Sequence, residues 1–335
     1  MPKEITHILF SDETFDKLKL DKNRLSEIIS SNLDFYHFGC VGVDSFYYNI
    51  KLPFIDKEFV QWGDFVHGAD GNDTALAFRN CADYLKKNLN EPSFDKKLAF
   101  IAGFITHIAM DINFHPYVYY FSGNYYDGEY PKRVDAMMRH RLIEAWIDLF
   151  MLNRKNIDLH EFDSMIRIEN NKKDNYEIIE FICKFFAEAW ETDKEMIPSF
   201  KRGYKIQMFL NNHLMKNRSF FSFFRIVNYV FDNRLRDLSA LFYPTKFHEM
   251  PDYIVNFGSF IHPVTGEKFE GNLLDLWNNG LNLSHKFLKS VNDYIFEGLS
   301  REEFDDIFRG YSLDVGLVGV NVKEVKHFSP WSIVP

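Results

Sequence analysis

Apolar residues recur at helical spacing along most of the first half of the chain, with polar residues between them. Thr6 is a candidate N-cap for a first helix running towards Leu20, and Asp73 and Ser93 are candidate N-caps for two later ones. Because proline restricts the residue before it, Pro116 should end the helix that begins after Ser93. The predicted helices cover residues 6–20, 25–36, 73–89, 93–115 and 131–153, with a glycine-bearing loop at 39–49.

The helical pattern continues in the second half of the chain. Predicted helices cover residues 176–190, 195–215, 219–241, 272–297 and 301–309, with a looser proline- and glycine-containing stretch at 243–271. No alternating series indicates a sheet, and no Gly-, Ser- or Pro-rich linker separates the halves. We therefore predict an all-α multi-helix bundle in one domain, with a core at residues 1–155 and a helical extension at 156–335 packed on it.

Composition narrows the class of protein. The 335 residues are 46% hydrophobic and 26% charged, which is typical of a globular chain. The net charge of −9 argues against broad electrostatic capture of nucleic acid or anionic lipid. Three cysteines without a CxxC pair argue against a disulfide framework. Without a signal-peptide pattern or a run of about 18 apolar residues, we expect a cytoplasmic protein with no transmembrane segment.

Two predicted helices each carry a pair of metal-ligand residue types four positions apart. His107 precedes Asp111 on one, and His140 precedes Glu144 on the other. This spacing places both side chains of a pair on one helix face, roughly 5–6 Å apart at Cβ. A single histidine or a single such pair is more often structural, but two pairs on adjacent helices favour a metal. Asp111 also lies among apolar neighbours, where an unpaired carboxylate would be costly.

Four further residues extend this candidate site. His115 follows Asp111 by one more turn, and since Pro116 should end the helix there, His115 can swing towards a second metal. His7, Asp44 and His67 are each weak evidence when taken alone, and His67 in particular is easily explained as a structural histidine. They support a metal site only if the fold brings them close to the pairs His107–Asp111 and His140–Glu144.

The order of these residues resembles the zinc-dependent bacterial phospholipase C family, which is related to the S1/P1-type nucleases. The resemblance covers roughly residues 1–150. It rests on Thr6-His7, Gly-x-x-Gly-x-Asp-x-Phe-Tyr-Tyr at 39–48, His67, His107-x3-Asp111-x3-His115-Pro116 and His140-x3-Glu144. A weaker likeness to the signal-less intracellular members of the family lies at His262-Pro263-Val264-Thr265-Gly266.

The resemblance implies two or three zinc ions. It assigns the first zinc to Asp44, His67, His107 and Asp111, and the second to His7 with Asp111 as a bridging ligand. It assigns the third to His115, His140 and Glu144. Secreted members complete the His7-type site with the amino group of an N-terminal tryptophan. This sequence has no such tryptophan, which puts the His7 site in doubt.

Such a centre suits the hydrolysis of a phosphate ester. Three carboxylates carry a formal charge of about −3, and two or three zinc ions carry about +4 to +6. The net positive charge of the centre therefore favours an anionic substrate. Metal-activated water would attack phosphorus, with phospholipid as the substrate that the resemblance implies. Asp44 is the candidate catalytic residue, as acceptor of the proton from water, or it is only a ligand. The alternatives are an S1/P1-like nuclease, although we expect no stable nucleic-acid partner, and a metal-binding protein without turnover.

Overall fold

The computed structural model describes residues 3–48, 50–51, 54–55, 57–190, 196–217, 226, 242–244 and 250–329. Its α-helices within these ranges are α1 Glu4–Leu18, α2 Arg24–Ser31, α3 Leu33–Gly42, α4 Lys57–Val66, α5 Leu76–Lys87, α6 Phe94–Ser122, α7 Tyr130–Arg154, α8 Ser164–Asn170, α9 Lys172–Ala189, α10 Met196–Phe209, α11 Leu273–Phe296 and α12 Arg301–Ile307. The prediction of an all-α bundle is confirmed. The helix predicted at 219–241 lies outside the described residues.

Short elements of other kinds connect these helices. Strands β1 (Ile50–Lys51) and β2 (Phe54–Ile55) form one antiparallel hairpin, and β3 (Gly258–Ile261) and β4 (Lys268–Gly271) form another. The sequence pattern did not predict either hairpin, nor the helices α4 and α8. The remaining short elements are 3-10 helices at Lys19–Asp21, Val43–Tyr48, Asp252–Ile254 and Val322–Glu324, and a π-helical turn at Leu210–Leu214.

Helix α6 lies at the centre of the bundle and packs against α1, α2, α3, α7 and α11. Its contact with α3 is a direct approach of two backbones. A Cβ atom on Gly39 would lie 2.0 Å from the carbonyl oxygen of Phe100, and one on Gly103 would lie 1.9 Å from that of Tyr36. Only glycine permits this spacing. The prediction of a loop at 39–49 is therefore wrong, because Gly39 serves helix packing and the chain stays helical to Gly42.

The end of α3 determines where Asp44 lies. The predicted single helix at 25–36 is two helices that meet at Asn32, whose φ of −136° is not helical. After Gly42 the chain tightens into the 3-10 helix Val43–Tyr48, so Asp44 lies in a helical turn and not in a loop. Its side chain is buried as a result.

The expected end of α6 at Pro116 is also wrong. The helix continues to Ser122, and Val118 and Phe121 in the part after Pro116 are buried. Proline inside a helix costs about 3 kcal/mol, whereas each such buried side chain contributes about 1.5–3 kcal/mol. Packing therefore offsets the cost. Helix α6 is apolar and long enough to cross a membrane by composition alone, but 89% of its most apolar window is buried inside the fold.

Helix α1 begins one turn before its predicted N-cap. Lys3 precedes the first helical residue, Glu4, so Thr6 lies inside the helix. The Thr6 amide donates a hydrogen bond to Asp148 Oδ1 at 2.9 Å, its hydroxyl donates to the same oxygen, and the Tyr243 hydroxyl donates to Oδ2 at 2.6 Å. Burial raises the pKa of Asp148 to about 6, although these hydrogen bonds oppose the shift. Thr6 thus ties α1 to α7, one residue before His7.

The other predicted helix starts are close to the observed ones. The Asp73 carboxylate accepts a hydrogen bond from the Ala75 amide at 2.9 Å just before α5, and Ser93 directly precedes α6 without a side-chain capping bond. The largest buried apolar cluster draws residues from both sides of position 155, from Ile5 to Leu313. The division of the chain at 155 stays a prediction.

Candidate metal centre

The fold brings all eight candidate ligands to one place in the interior. They come from α1, the 3-10 helix after α3, the residue following α4, and the helices α6 and α7. None is more than 6% exposed; the set is His7, Asp44, His67, His107, Asp111, His115, His140 and Glu144. Burial of eight ionisable groups is unfavourable unless they are paired or bind metal. Their assignment as ligands stays a prediction, which the geometry below makes specific.

Five of these residues form what we call the inner group: His7, Asp44, His67, His107 and Asp111. Asp111 lies between the histidines, with Oδ2 at 3.0 Å from His107 Nε2 and Oδ1 at 3.4 Å from His7 Nε2. Asp44 Oδ1 lies 3.3 Å from His67 Nε2 and 3.6 Å from His107 Nε2. Two triads within the group have ligand atoms that all lie within 4.8 Å of one another. The carboxylates and ring nitrogens thus converge on a common space.

The other three residues form the outer group: His115, His140 and Glu144. Their ligand atoms also lie within 4.8 Å of one another, with His140 Nε2 at 2.9 Å from Glu144 Oε1. Because α6 continues past Pro116, His115 does not swing away as expected but continues the row after His107 and Asp111. Its Nε2 lies 4.0 Å from Asp111 Oδ1, so Asp111 adjoins both groups.

A main-chain carbonyl orients three of the rings. His67 Nδ1 donates to Gly63 O at 2.8 Å, His107 Nδ1 to Cys40 O at 3.0 Å, and His115 Nδ1 to Leu313 O at 2.7 Å. A carbonyl only accepts hydrogen bonds, so the proton resides on Nδ1 and Nε2 is presented to the centre. This is the arrangement that a neutral histidine needs in order to bind a metal.

The charges are distributed unevenly over the centre. Burial lowers the pKa of His107, but the Asp111 and Asp44 carboxylates outweigh it and raise that pKa to about 9. Despite burial, His107 and His115 hold the pKa of Asp111 well below its usual range. Burial lowers the pKa of His115 to about 3 and that of His140 well below its ordinary value. The inner group therefore holds an ion pair, whereas the outer imidazoles are neutral.

The donor set fits zinc. Asp111 Oδ1, Nε2 of His7 and Nε2 of His115 are buried without a hydrogen-bond partner among the described residues, and Asp111 Oδ2 contacts His107 Nε2 at 3.0 Å. Such atoms are costly to bury unless they bind something. Imidazole nitrogen and carboxylate oxygen are the ligands that zinc accepts, and in each of three triads the ligand atoms lie within 4.8 Å of one another.

The C-terminal part of the chain contributes residues that the spacing pattern did not predict. Besides the carbonyl of Leu313, the Asp314 carboxylate lies 3.9 Å from His115 Nδ1 and 3.4 Å from the Tyr119 hydroxyl. Burial raises the pKa of Asp314 to about 7. No motif or helical spacing connects position 314 to position 115, so the sequence carried no signal for this contact.

Aromatic rings surround the ligand histidines. The Tyr47 ring centroid lies 5.1 Å from that of His67, and those of Tyr119 and Tyr125 lie 5.0 and 5.5 Å from that of His140. Aromatic rings beside the candidate ligands lower the local dielectric constant, which strengthens electrostatic interactions within the centre.

Histidines and carboxylates from separate elements thus converge in the interior of a helical bundle, in an arrangement that fits metal ions. The comparison with protein families agrees: residues 6–192 match the family model described as zinc dependent phospholipase C. The chain belongs to this family, as the sequence motifs predicted. No curated protein and no solved structure matches the chain.

Proposed function

We propose that this protein is a zinc-dependent phosphoric ester hydrolase that cleaves a phosphodiester, with phospholipid as its substrate. The observation that carries the proposal is the position of the buried Asp111 carboxylate between the two histidine groups, with Oδ2 3.0 Å from His107 Nε2 and Oδ1 4.0 Å from His115 Nε2. Zinc, when bound, supplies Lewis acidity that acidifies water and neutralises the charge of a phosphate group. Membership in the zinc-dependent phospholipase C family supports the reaction class.

Asp44 is the residue that we propose to take the proton from the attacking water. Burial raises the pKa of Asp44, whereas neighbouring histidines hold that of Asp111 well below its usual range. The carboxylate with the higher pKa is the better base of the two. As the water oxygen bonds to phosphorus, its proton passes to Asp44, the bond from phosphorus to the leaving oxygen breaks, and the leaving oxygen takes up one proton to depart as the alcohol. Asp111, with the lower pKa, remains ionised as a ligand.

Turnover and zinc dependence test the proposal together. We expect zinc-loaded protein to release diacylglycerol from phosphatidylcholine vesicles, to lose activity in EDTA and to regain it with added zinc. Single-stranded DNA and bis(4-nitrophenyl) phosphate are assayed in parallel. Cleavage of DNA in preference to lipid would assign a nuclease, and zinc binding without turnover on any of the three would assign a binding protein.

The Asp44→Asn variant tests the proton-transfer role. Loss of a general base should reduce kcat by on the order of 10²–10⁴ while zinc stays bound. Asp12→Asn is the matched control, because Asp12 pairs with His37 at 2.7 Å and lies outside the inner and outer groups. Loss of zinc from Asp44→Asn that added zinc rescues would reduce Asp44 to a ligand. Full activity of the zinc-loaded variant would remove both roles.

A further inference from the structure

We propose that the C-terminal segment, residues 311–329, is part of the metal centre, because the backbone of Leu313 positions both His67 and His115. The proposal rests on the zinc binding proposed above. It gives a role to a segment that lies beyond the 6–192 family match.

Leu313 connects one residue of the inner group to one of the outer group. Its amide donates a hydrogen bond to the main-chain carbonyl of His67 at 2.8 Å, and its own carbonyl accepts from His115 Nδ1 at 2.7 Å. The first bond holds the turn that carries His67 after α4. The second sets the tautomer and the ring angle of His115. A single peptide segment thereby sets the separation between ligands that belong to different groups.

A tight turn places Leu313 against α6. The Ser312 amide donates to Leu317 O at 2.8 Å, and the Gly316 amide donates to Ser312 O at 2.7 Å. Gly316 has a φ of +67°, and a Cβ atom there would lie 2.6 Å from Ile112 O. Pro116 has no amide hydrogen to donate to that carbonyl within the helix. Gly316 therefore packs directly on the part of α6 between Asp111 and His115.

Contacts away from the metal ligands hold the same segment in place. His262 Nε2 donates to Val315 O at 2.9 Å, while His262 Nδ1 accepts from the Val264 and Thr265 amides at 3.2 Å each. Pro263 O accepts from the Lys326 and His327 amides at 2.8 and 3.0 Å. The motif His262-Pro263 thus fastens the segment from the hairpin β3–β4.

A second anchor lies beside His67. The Val322 amide donates to Ala69 O at 2.8 Å, and Val315, Val322 and Val325 pack with Ala69 and Tyr119 in a small buried apolar cluster. The segment is therefore fixed at several points that follow Leu313 along the chain. Partners that orient a metal-binding histidine typically change metal affinity by about 10–100-fold, which is the size of effect to expect here.

Two glycines of the segment provide a matched pair of variants. Gly316→Ala places its Cβ against α6, whereas Gly319→Ala imposes the same backbone strain, with a φ of +70°, and meets nothing within 4 Å. We expect Gly316→Ala to bind the last zinc equivalent about 10–100-fold more weakly in chelator competition. Gly319→Ala should match the wild type. The absorption spectrum of bound cobalt should change in Gly316→Ala alone, since it reports ligand geometry.

A measurement on the wild type covers the case in which Gly316→Ala does not fold. The coupling between zinc binding and the fold of the segment is reciprocal. If the segment strengthens zinc binding by about 10–100-fold, bound zinc must slow hydrogen exchange in the segment by the same factor. We expect this slowing in peptides that contain Leu313 and Gly316, and none in the α12 peptide Arg301–Ile307. His115→Ala should reduce it, because the bond between Leu313 and the main chain of His67 remains.

The outcomes separate this proposal from the proposed function. If zinc binds but hydrogen exchange at 312–317 is unchanged, the role of the segment is overturned. The same holds if the two glycine variants bind zinc with equal affinity. In both cases the hydrolase proposal still stands. A wild type that binds no zinc overturns both. Slowed exchange that His115→Ala reduces supports the role of the segment even if no phosphate ester is cleaved.

Discussion

The inner and outer groups of the candidate centre differ in where their supports come from. In the inner group, the His67 ring is oriented by a carbonyl four residues earlier and the His107 ring by Cys40 of the adjacent α3. Both ring contacts lie within the first 107 residues, although the main chain of His67 also accepts a hydrogen bond from Leu313. In the outer group, His115 is oriented by Leu313, 198 residues later. Candidate ligands that share one helix face can therefore depend on quite different parts of the chain.

The two groups also differ in their proton content. His107 is protonated at neutral pH because Asp111 and Asp44 raise its pKa, whereas burial keeps His115 and His140 neutral. Before metal binds, the inner group is stabilised by its own charge pairing, and the outer group already has its nitrogen lone pairs available. We infer that metal binding has different thermodynamic requirements at the two groups.

Removal of Asp111 should have the largest effect, because this side chain adjoins both groups. Loss of a residue that orients a ligand weakens metal binding by up to about 100-fold, and Asp111→Asn should weaken zinc binding by more than this. It should also lower total metal content more than His7→Ala does. Metal analysis after dialysis measures this. Equal losses in the two variants would contradict the bridging position of Asp111.

The pH dependence of zinc binding should distinguish the groups. Zinc must displace the proton of His107, whose pKa is about 9, so inner-group affinity should rise about tenfold per pH unit up to that value. The lowered pKa of His115, about 3, predicts no such dependence at the outer group near pH 7.

Calorimetry in buffers of different ionisation enthalpy measures the protons released at pH 7. Glu144→Gln, which leaves the inner group intact, serves as the comparison. The wild type should bind more zinc than this variant and yet release the same number of protons. Proton release that increases in proportion to the extra zinc would contradict the assigned charge states.

The smallest expected effect concerns the anchor of the C-terminal segment. His262→Ala removes the hydrogen bond to Val315 O. It should weaken zinc binding at the outer group by at most about tenfold, the lower end of the range for loss of an orienting partner, because His262 does not itself orient a candidate ligand. Inner-group affinity should change less, because the His67 ring is oriented by Gly63 O and not by the segment. His285→Ala is the control, because His285 pairs with Asp21 at 2.8 Å and does not contact the segment. A uniform loss at both groups would indicate general destabilisation.

Helical geometry explains how much of the centre could be predicted. Residues four apart on a helix share a face wherever that helix is placed, so the pairs His107–Asp111 and His140–Glu144 were predictable from spacing alone. The same regularity predicted α7 within a residue at each end. The order of His7, Asp44 and His67 was recognisable through the family likeness, although no local rule placed them together.

The errors arose where packing outweighed local preference. Gly39 suggested a loop and Pro116 a helix end, but close packing on α6 and the burial of Val118 and Phe121 decided otherwise. Local propensities amount to a few kcal/mol at most, and the contacts that compete with them come from distant parts of the chain.

By itself, the sequence determined the helical class, the metal-ligand residue types and their spacing on two helices, because each of these depends on neighbours within a few positions. Only the tertiary structure decided that Asp111 lies between two groups of histidines and that Leu313 orients His115. Those relations depend on which surfaces pack together, and backbone carbonyls such as that of Leu313 are present at every residue. Because every residue has a backbone carbonyl, the residue type at position 313 does not indicate this contact.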